Sequence, residues 1–207
     1  MSPIPRLVVL VSGSGTTLQN LIDRIEQGTL KAEIVLTIGS KPHIGAEARA
    51  MAQDIPYQTL ERRSFIDSQS FSRRLFEMVD EAKPDLICMA GWLSLVQIPD
   101  RYRWKVLNIH PSLLPAFGGP RMYGKHVHDA VLQHGCKVSG CTVHLVDDTY
   151  DNGPILVQRT VAVEEKETAD SLIKKVQQQE FIAYPEAIAM VASGKVKVEG
   201  RRAKIGR

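Results

Sequence analysis

Short apolar, β-branched runs recur along this chain, each followed by a stretch of helical period. That alternation restricts the fold more than any other feature. Leu7–Val11 reads as a buried strand, and the turn Ser12-Gly13-Ser14-Gly15 leads into a helix over Thr16–Gln27. Leu18, Leu21, Ile22 and Ile25 lie on one face of that helix. Glu33–Ile38 is a second strand, Gly45–Gln53 an alanine-rich helix, and Pro56–Leu60 a short strand. Ser68–Ala82 spaces Phe71, Leu75, Met78 and Val79 for one helical face, and Leu86–Ala90 and Val106–Ile109 are further strands. The βαβαβ rhythm implies an α/β fold of Rossmann-like type, with a mostly parallel central sheet and helices on both faces.

The pattern changes after Pro115. Ala116–Gly124 is a Gly/Pro loop and His126–His134 is helical in period. Gly140–Val146 and Ile155–Val163 form a hairpin across the acidic loop Asp147–Gly153. A long helix then runs from Thr168, a candidate N-cap, to about Ala192, and Val196–Val198 adds a small strand. The expected organisation is one domain over 1–207. It comprises a phosphate-binding half (1–105), a catalytic half (106–198) and a basic tail (199–207) with Arg201, Arg202, Lys204 and Arg207.

Composition excludes some classes. A net charge of +3 is a weak pull toward nucleic acid, and the tail supplies part of it. Three cysteines, Cys88, Cys136 and Cys141, are an odd count without paired spacing, which argues for a reducing compartment and against a disulfide framework or zinc cluster. The N-terminus lacks the apolar core of a signal peptide, and no run is long enough to span a bilayer, so a cytoplasmic protein is expected.

Two segments carry chemistry. In V-L-N-I-H-P, Asn108 and His110 are i and i+2 on an extended run, so both side chains aim to the same side. They fall at the C-terminal end of a strand, where open α/β sheets place their ligand crevice. Pro111 then fixes the chain direction. Asp151, in D-N-G-P, is the carboxylate available to such a histidine, although the same residues are ordinary turn chemistry. The second segment is the S-G-S-G turn. Gly13 and Gly15 allow backbone N–H groups at a helix start to approach an anion. A dinucleotide fingerprint needs glycine where this chain has Leu18, and a Walker loop needs lysine where it has Thr16. A phosphate monoester is the favoured ligand, with an unliganded βα turn as the alternative. His144 is expected to be buried and hydrogen-bonded only. His126 and His128 do not share a helical face, and no metal is expected.

With S-G-S-G-T-T-L-Q-N near the start, N-I-H-P-S-L-L-P at 108–115, D-N-G-P at 151–154 and Q-Q-Q-E-F-I-A-Y-P at 177–185, the chain closely resembles the phosphoribosylglycinamide formyltransferase family. The resemblance runs in order from about residue 7 to about residue 198. It implies the formyltransferase fold and transfer of the formyl group of 10-formyltetrahydrofolate, as co-substrate, to the amine of glycinamide ribonucleotide in purine biosynthesis. The implied catalytic residues are Asn108, a protonated His110, and Asp151. Gly13, Gly15, Thr16, Thr17, Pro111, Gln177 and Glu180 would bind the ribonucleotide. Trp92, Leu93, Ser94, Leu95, Val96, Asp147 and Asp148 would line the folate side. The implied partners are small molecules, not nucleic acid or membrane, with the protein a monomer or homodimer.

Ser94 and Gln69 stand where the family often has arginine, which leaves the folate's acidic tail without its usual anchors. Arg121, Lys125 and Arg73 are the candidate replacements. The loop after Pro115 is longer than the family's compact form. The rival readings are a 10-formyltetrahydrofolate hydrolase, a non-catalytic folate- or nucleotide-binding protein, and a nicotinamide-binding domain. Methionyl-tRNA formyltransferases usually carry a further domain for tRNA.

Overall fold

The computed structural model describes residues 4–206, so Arg207 of the basic tail lies outside the described residues. By contacts the chain divides into two compact units, with the boundary between Leu107 and Asn108.

In the first unit, β1 (Arg6–Val11) pairs in parallel with both β2 (Glu33–Gly39) and β4 (Leu86–Ala90), and β2 pairs in parallel with β3 (Tyr57–Thr59). The order is β3-β2-β1-β4. Leu7 to Val11 and all of β4 are buried, which is why they read as unbroken apolar runs rather than alternating ones. Helix α1 (Thr16–Glu26) buries Leu18, Leu21 and Ile22. Leu18 is fully inaccessible, so the position where a dinucleotide loop would need glycine is instead a core contact. Each such side chain contributes roughly 1.5–3 kcal/mol of burial.

Two more helices complete this unit. Helix α2 (Gly45–Met51) is two residues shorter than the alanine pattern suggests, and α3 (Ser68–Ala82) matches its predicted bounds. The side chain of Asp67 caps α3 by accepting from Ser70 N at 2.7 Å. Ile87 N donates to Lys105 O at 2.9 Å, setting the chain beside β4 as it enters β5 (Val106–His110).

In the second unit, α4 (Lys125–Gln133) precedes β6 (Val138–Leu145) and β7 (Ile155–Ala162), which form the expected antiparallel hairpin. Helix α5 (Ala169–Ala192) packs against both strands and α4. Thr168 and Ser171 cap α5 reciprocally. The order is β5-β6-β7-β9-β8. Here the basic tail differs from expectation. β8 (Val196–Glu199) turns through Gly200, and Arg202–Ile205 returns as strand β9, antiparallel to β8 and parallel to β7. The alternation of Val196, Val198 and Ala203 with charged residues is short, and its basic content hides a strand pattern. The fold is α/β, with a mostly parallel sheet, five α-helices among the described residues and a C-terminal hairpin beside a long helix.

Candidate active site

Strand β5 presents Asn108 and His110 on one side, as their i, i+2 spacing requires. Strand β6 is the neighbour of β5 and brings in His144, expected only to be buried and hydrogen-bonded, beside Asn108. Asp151 arrives on the β6–β7 loop in a left-handed conformation with φ 50°. A non-glycine residue held there is a strained backbone, of the kind that persists where surrounding contacts determine it.

The Asp151 carboxylate is shared among four groups. Oδ2 accepts from Gly119 N at 2.9 Å and lies 3.5 Å from His110 Nδ1. Oδ1 accepts from Asn108 Nδ2 at 3.4 Å and lies 3.7 Å from His144 Nε2. Burial works to raise this carboxyl, but His144, His110 and the Gly119 N–H outweigh it and hold it below the ordinary 3.8.

The ring tautomers follow from their partners. His110 Nε2 sits 2.8 Å from the carbonyl of Phe117, which can only accept, so Nε2 carries a hydrogen. His144 Nδ1 likewise donates to Leu145 O at 2.9 Å, leaving Nε2 to accept from Asn108 Nδ2 at 3.2 Å. Both amide hydrogens of Asn108 are therefore used inside the cluster, one of them in a long bond. Burial pushes His110 below 6.5 more strongly than Asp151 raises it. The ring is held toward neutrality, whereas the family resemblance implied a protonated imidazole.

The long loop after Pro115 supplies two of these partners, Phe117 O and Gly119 N. It passes close to its neighbours at Gly118, where a Cβ would lie 2.5 Å from Leu114 Cδ2 and 3.2 Å from Asp151 Cβ. Ser112 Oγ donates to Ala116 O at 2.6 Å and steadies the start of the loop. Pro111 is half-buried at the exit of β5.

The predicted anion loop lies in the first unit. Gly15 occupies φ 76° as the N-cap of α1, and no side chain caps this helix start. A Cβ at Gly15 would come 2.7 Å from Ala46 Cα, so space and conformation both demand glycine. Ala46 N donates to Gly13 O at 3.2 Å and Arg49 Nε to Ser14 O at 2.9 Å, fixing the loop. Thr16 and Thr17 open the helix, where backbone N–H groups and the helix dipole favour an anion.

The remaining predicted residues are spread over both units. Trp92 and Val96 are buried after β4, and Trp92 stacks on Phe71 with centroids 6.1 Å apart. Leu93 is exposed and its N–H donates to Ser12 Oγ at 3.3 Å, while Ser94 and Leu95 are half-buried. In the second unit Asp147 accepts from Thr149 N at 2.9 Å and Asn152 Nδ2 at 2.7 Å, so its carboxylate builds the loop, and Asp148 is exposed. Gln177 and Glu180 are half-buried one turn apart on α5 rather than on a solvated face. Burial pushes the Glu180 carboxyl up to about 7. Of the candidate cations for the folate tail, Lys125 is paired with Asp170 at 2.9 Å, and Arg73 and Arg121 are exposed. Among the described residues, no group of His, Cys, Asp or Glu is placed to hold a metal ion, and no helix is long and apolar enough to cross a membrane.

Strand β5 and the β6–β7 loop gather Asn108, His110 and Asp151 into one cluster that offers the donor, the base and the counter-charge of a group-transfer enzyme. A family profile described as Formyl transferase matches residues 5–188, and the chain belongs to that family. It is 32% identical over 194 residues to the phosphoribosylglycinamide formyltransferase of Escherichia coli (strain K12), covering 93% of this chain and 89% of that protein. It is 36% identical over 202 residues to the trifunctional purine biosynthetic protein adenosine-3 of Gallus gallus, covering 97% of this chain but only 20% of that protein. The chain thus spans about one fifth of the length of that larger relative. Its fold superposes on the crystal structure of glycinamide ribonucleotide transformylase 1 from Symbiobacterium toebii with a TM-score of 0.92, at 34% identity, covering 100% and 96% of the two chains.

Proposed function

We propose that this chain transfers the formyl group of 10-formyltetrahydrofolate to the primary amine of 5′-phosphoribosylglycinamide, giving formylglycinamide ribonucleotide and tetrahydrofolate. The observation that carries the reading is the Asn108–His110–Asp151 cluster, with His144 behind it.

The amine lone pair attacks the formyl carbon, and the carbonyl electrons move onto oxygen. Collapse of this tetrahedral oxyanion expels the folate nitrogen, which takes up the proton lost by the amine. Asn108 is the oxyanion donor. Its 3.4 Å bond to Asp151 is at the limit of hydrogen bonding, so that hydrogen is the one released to the substrate at least cost. One such donor is typically worth about 2.7–4 kcal/mol of barrier. His110, neutral at rest, accepts the amine proton and returns it to the leaving nitrogen. Asp151 offsets the charge that forms on the ring.

In this reading the Gly13–Thr17 loop takes the 5′-phosphate, with Gln177 and Glu180 on the ribose or glycinamide end and Pro111 shaping that side. Trp92 to Val96, with Asp147 and Asp148, line the folate side. The reaction needs no metal and no protein nucleophile, because the substrate amine is itself the nucleophile. The protein would work in the cytoplasm, as a monomer or homodimer.

The deciding experiment is folate turnover with and without the ribonucleotide. Formyl loss that requires the ribonucleotide, with the formyl group recovered on its amine, supports the transferase. Formate release at the same rate without it would establish a hydrolase instead.

A further inference from the structure

Arg201 sits on the exposed turn between β8 and β9, in the segment expected to be a basic tail. Its guanidinium closes a fork on a single residue. Nη1 donates to Asn152 Oδ1 and Nη2 to Asn152 O, both at 2.8 Å. The other end of the same amide, Asn152 Nδ2, donates to Asp147 Oδ2 at 2.7 Å, and Asp147 Oδ1 accepts from Thr149 N at 2.9 Å. The fork thus decides which way the Asn152 amide faces, and the amide in turn ties the two ends of the β6–β7 loop together.

Asp151 is the residue immediately before Asn152 and is held at φ 50°. Gly153, on the other side, has no room for a Cβ, which would come 1.8 Å from Leu145 O. The backbone flanking Asp151 is therefore clamped at 152 by the arginine fork and at 153 by close packing. We propose that Arg201 is a positioning residue for formyl transfer: through Asn152 it holds Asp151 in the orientation that serves His110 and Asn108. The C-terminal hairpin is thus a brace for the catalytic loop. This rests on the transferase reading above.

The fork matters as well as the charge, since a lysine ammonium cannot reach two acceptors on one residue in a planar pair. A displacement of about 1 Å at a catalytic group can cost as much as ~10²-fold in rate. Arg201→Ala and Arg201→Lys should each lower kcat about tenfold while KM for the ribonucleotide stays within roughly twofold. Arg201 is exposed, so both variants should keep a cooperative thermal transition. Asn152→Ala should lower kcat similarly, and Arg201→Ala added to it should cost nothing further, because both act through one contact.

The same variants are followed by amide hydrogen exchange over residues 147–153, which needs no substrate. Faster exchange confined to that loop, with the kcat loss and the non-additive pair, supports the proposal. Wild-type kcat in Arg201→Ala, full rescue by Arg201→Lys, or additive losses in the pair would overturn it. If the wild-type chain transfers no formyl group, the function reading fails by itself. The exchange result then still reports whether the brace exists.

Discussion

His110 Nδ1 faces Asp151 Oδ2 at 3.5 Å while the opposite ring nitrogen is committed to the Phe117 carbonyl. A proton taken up by this ring therefore arrives on the nitrogen that faces the carboxylate. Burial keeps the resting ring neutral, and the carboxylate stabilises it once charged. Asp151→Asn removes the counter-charge but keeps the shape. It should lower kcat by about 10²–10⁴, the usual worth of acid–base help, while ribonucleotide affinity by calorimetry changes little. An unchanged kcat would remove Asp151 from the chemistry.

Asn108 holds its amide toward both His144 and Asp151. Asn108→Ala should reduce kcat by about 10²–10³, as loss of an oxyanion donor does. Steady-state kinetics at saturating folate and ribonucleotide check this. A loss smaller than tenfold would mean that the oxyanion finds its donor elsewhere.

Gly15→Ala tests the anion loop. The added methyl meets Ala46 Cα at 2.7 Å, and φ 76° is unfavourable for alanine by about 1–2 kcal/mol. The melting temperature should fall by roughly 2–8 °C, and KM for the phosphorylated substrate should rise. A stable variant with unaltered KM would move the phosphate elsewhere.

Two buried histidines should each cost stability on mild acidification. Burial holds His110 and His128 below 6.5, so between 6.5 and their folded values the unfolded chain binds more protons than the folded one. Their contribution is then full above that window and declines as pH drops through it. Asp151, held below 3.8, adds a further loss only under more acidic conditions. Glu180, pushed up to about 7, acts in the opposite sense over the same range, so the test is a difference: between pH 8 and pH 5 His128→Leu, which removes one titrating ring, should lose less melting temperature than the wild type. Equal slopes in wild type and variant would contradict this.

Much of this architecture was legible because local pattern and tertiary role agree. The runs at Leu7–Val11 and Leu86–Ala90 are buried throughout, and Leu18, which argued against a dinucleotide loop, is a core residue. The i, i+2 spacing of Asn108 and His110 was enough to put both side chains on one side of β5. The place of His144 beside them was not legible, because a single histidine within the extended run Gly140–Val146 looks the same whatever it packs against. Only the order of β5 and β6 brings it there. Arg201 looks like one more charge of a basic tail because its partner lies 49 positions away, and charge density reveals nothing about a long-range fork. The long loop showed its length but not its use, since Phe117 and Gly119 contribute backbone atoms that any sequence carries.

The most direct test is a single-turnover comparison of wild type and His110→Ala, with both substrates bound at saturation and the nucleotide product identified by mass. The wild type should place the formyl group on the ribonucleotide amine, and the variant should do so at least about 10²-fold more slowly with binding intact. Equal transfer rates in the two proteins, or formate released by the wild type without regard to the ribonucleotide, would contradict the account.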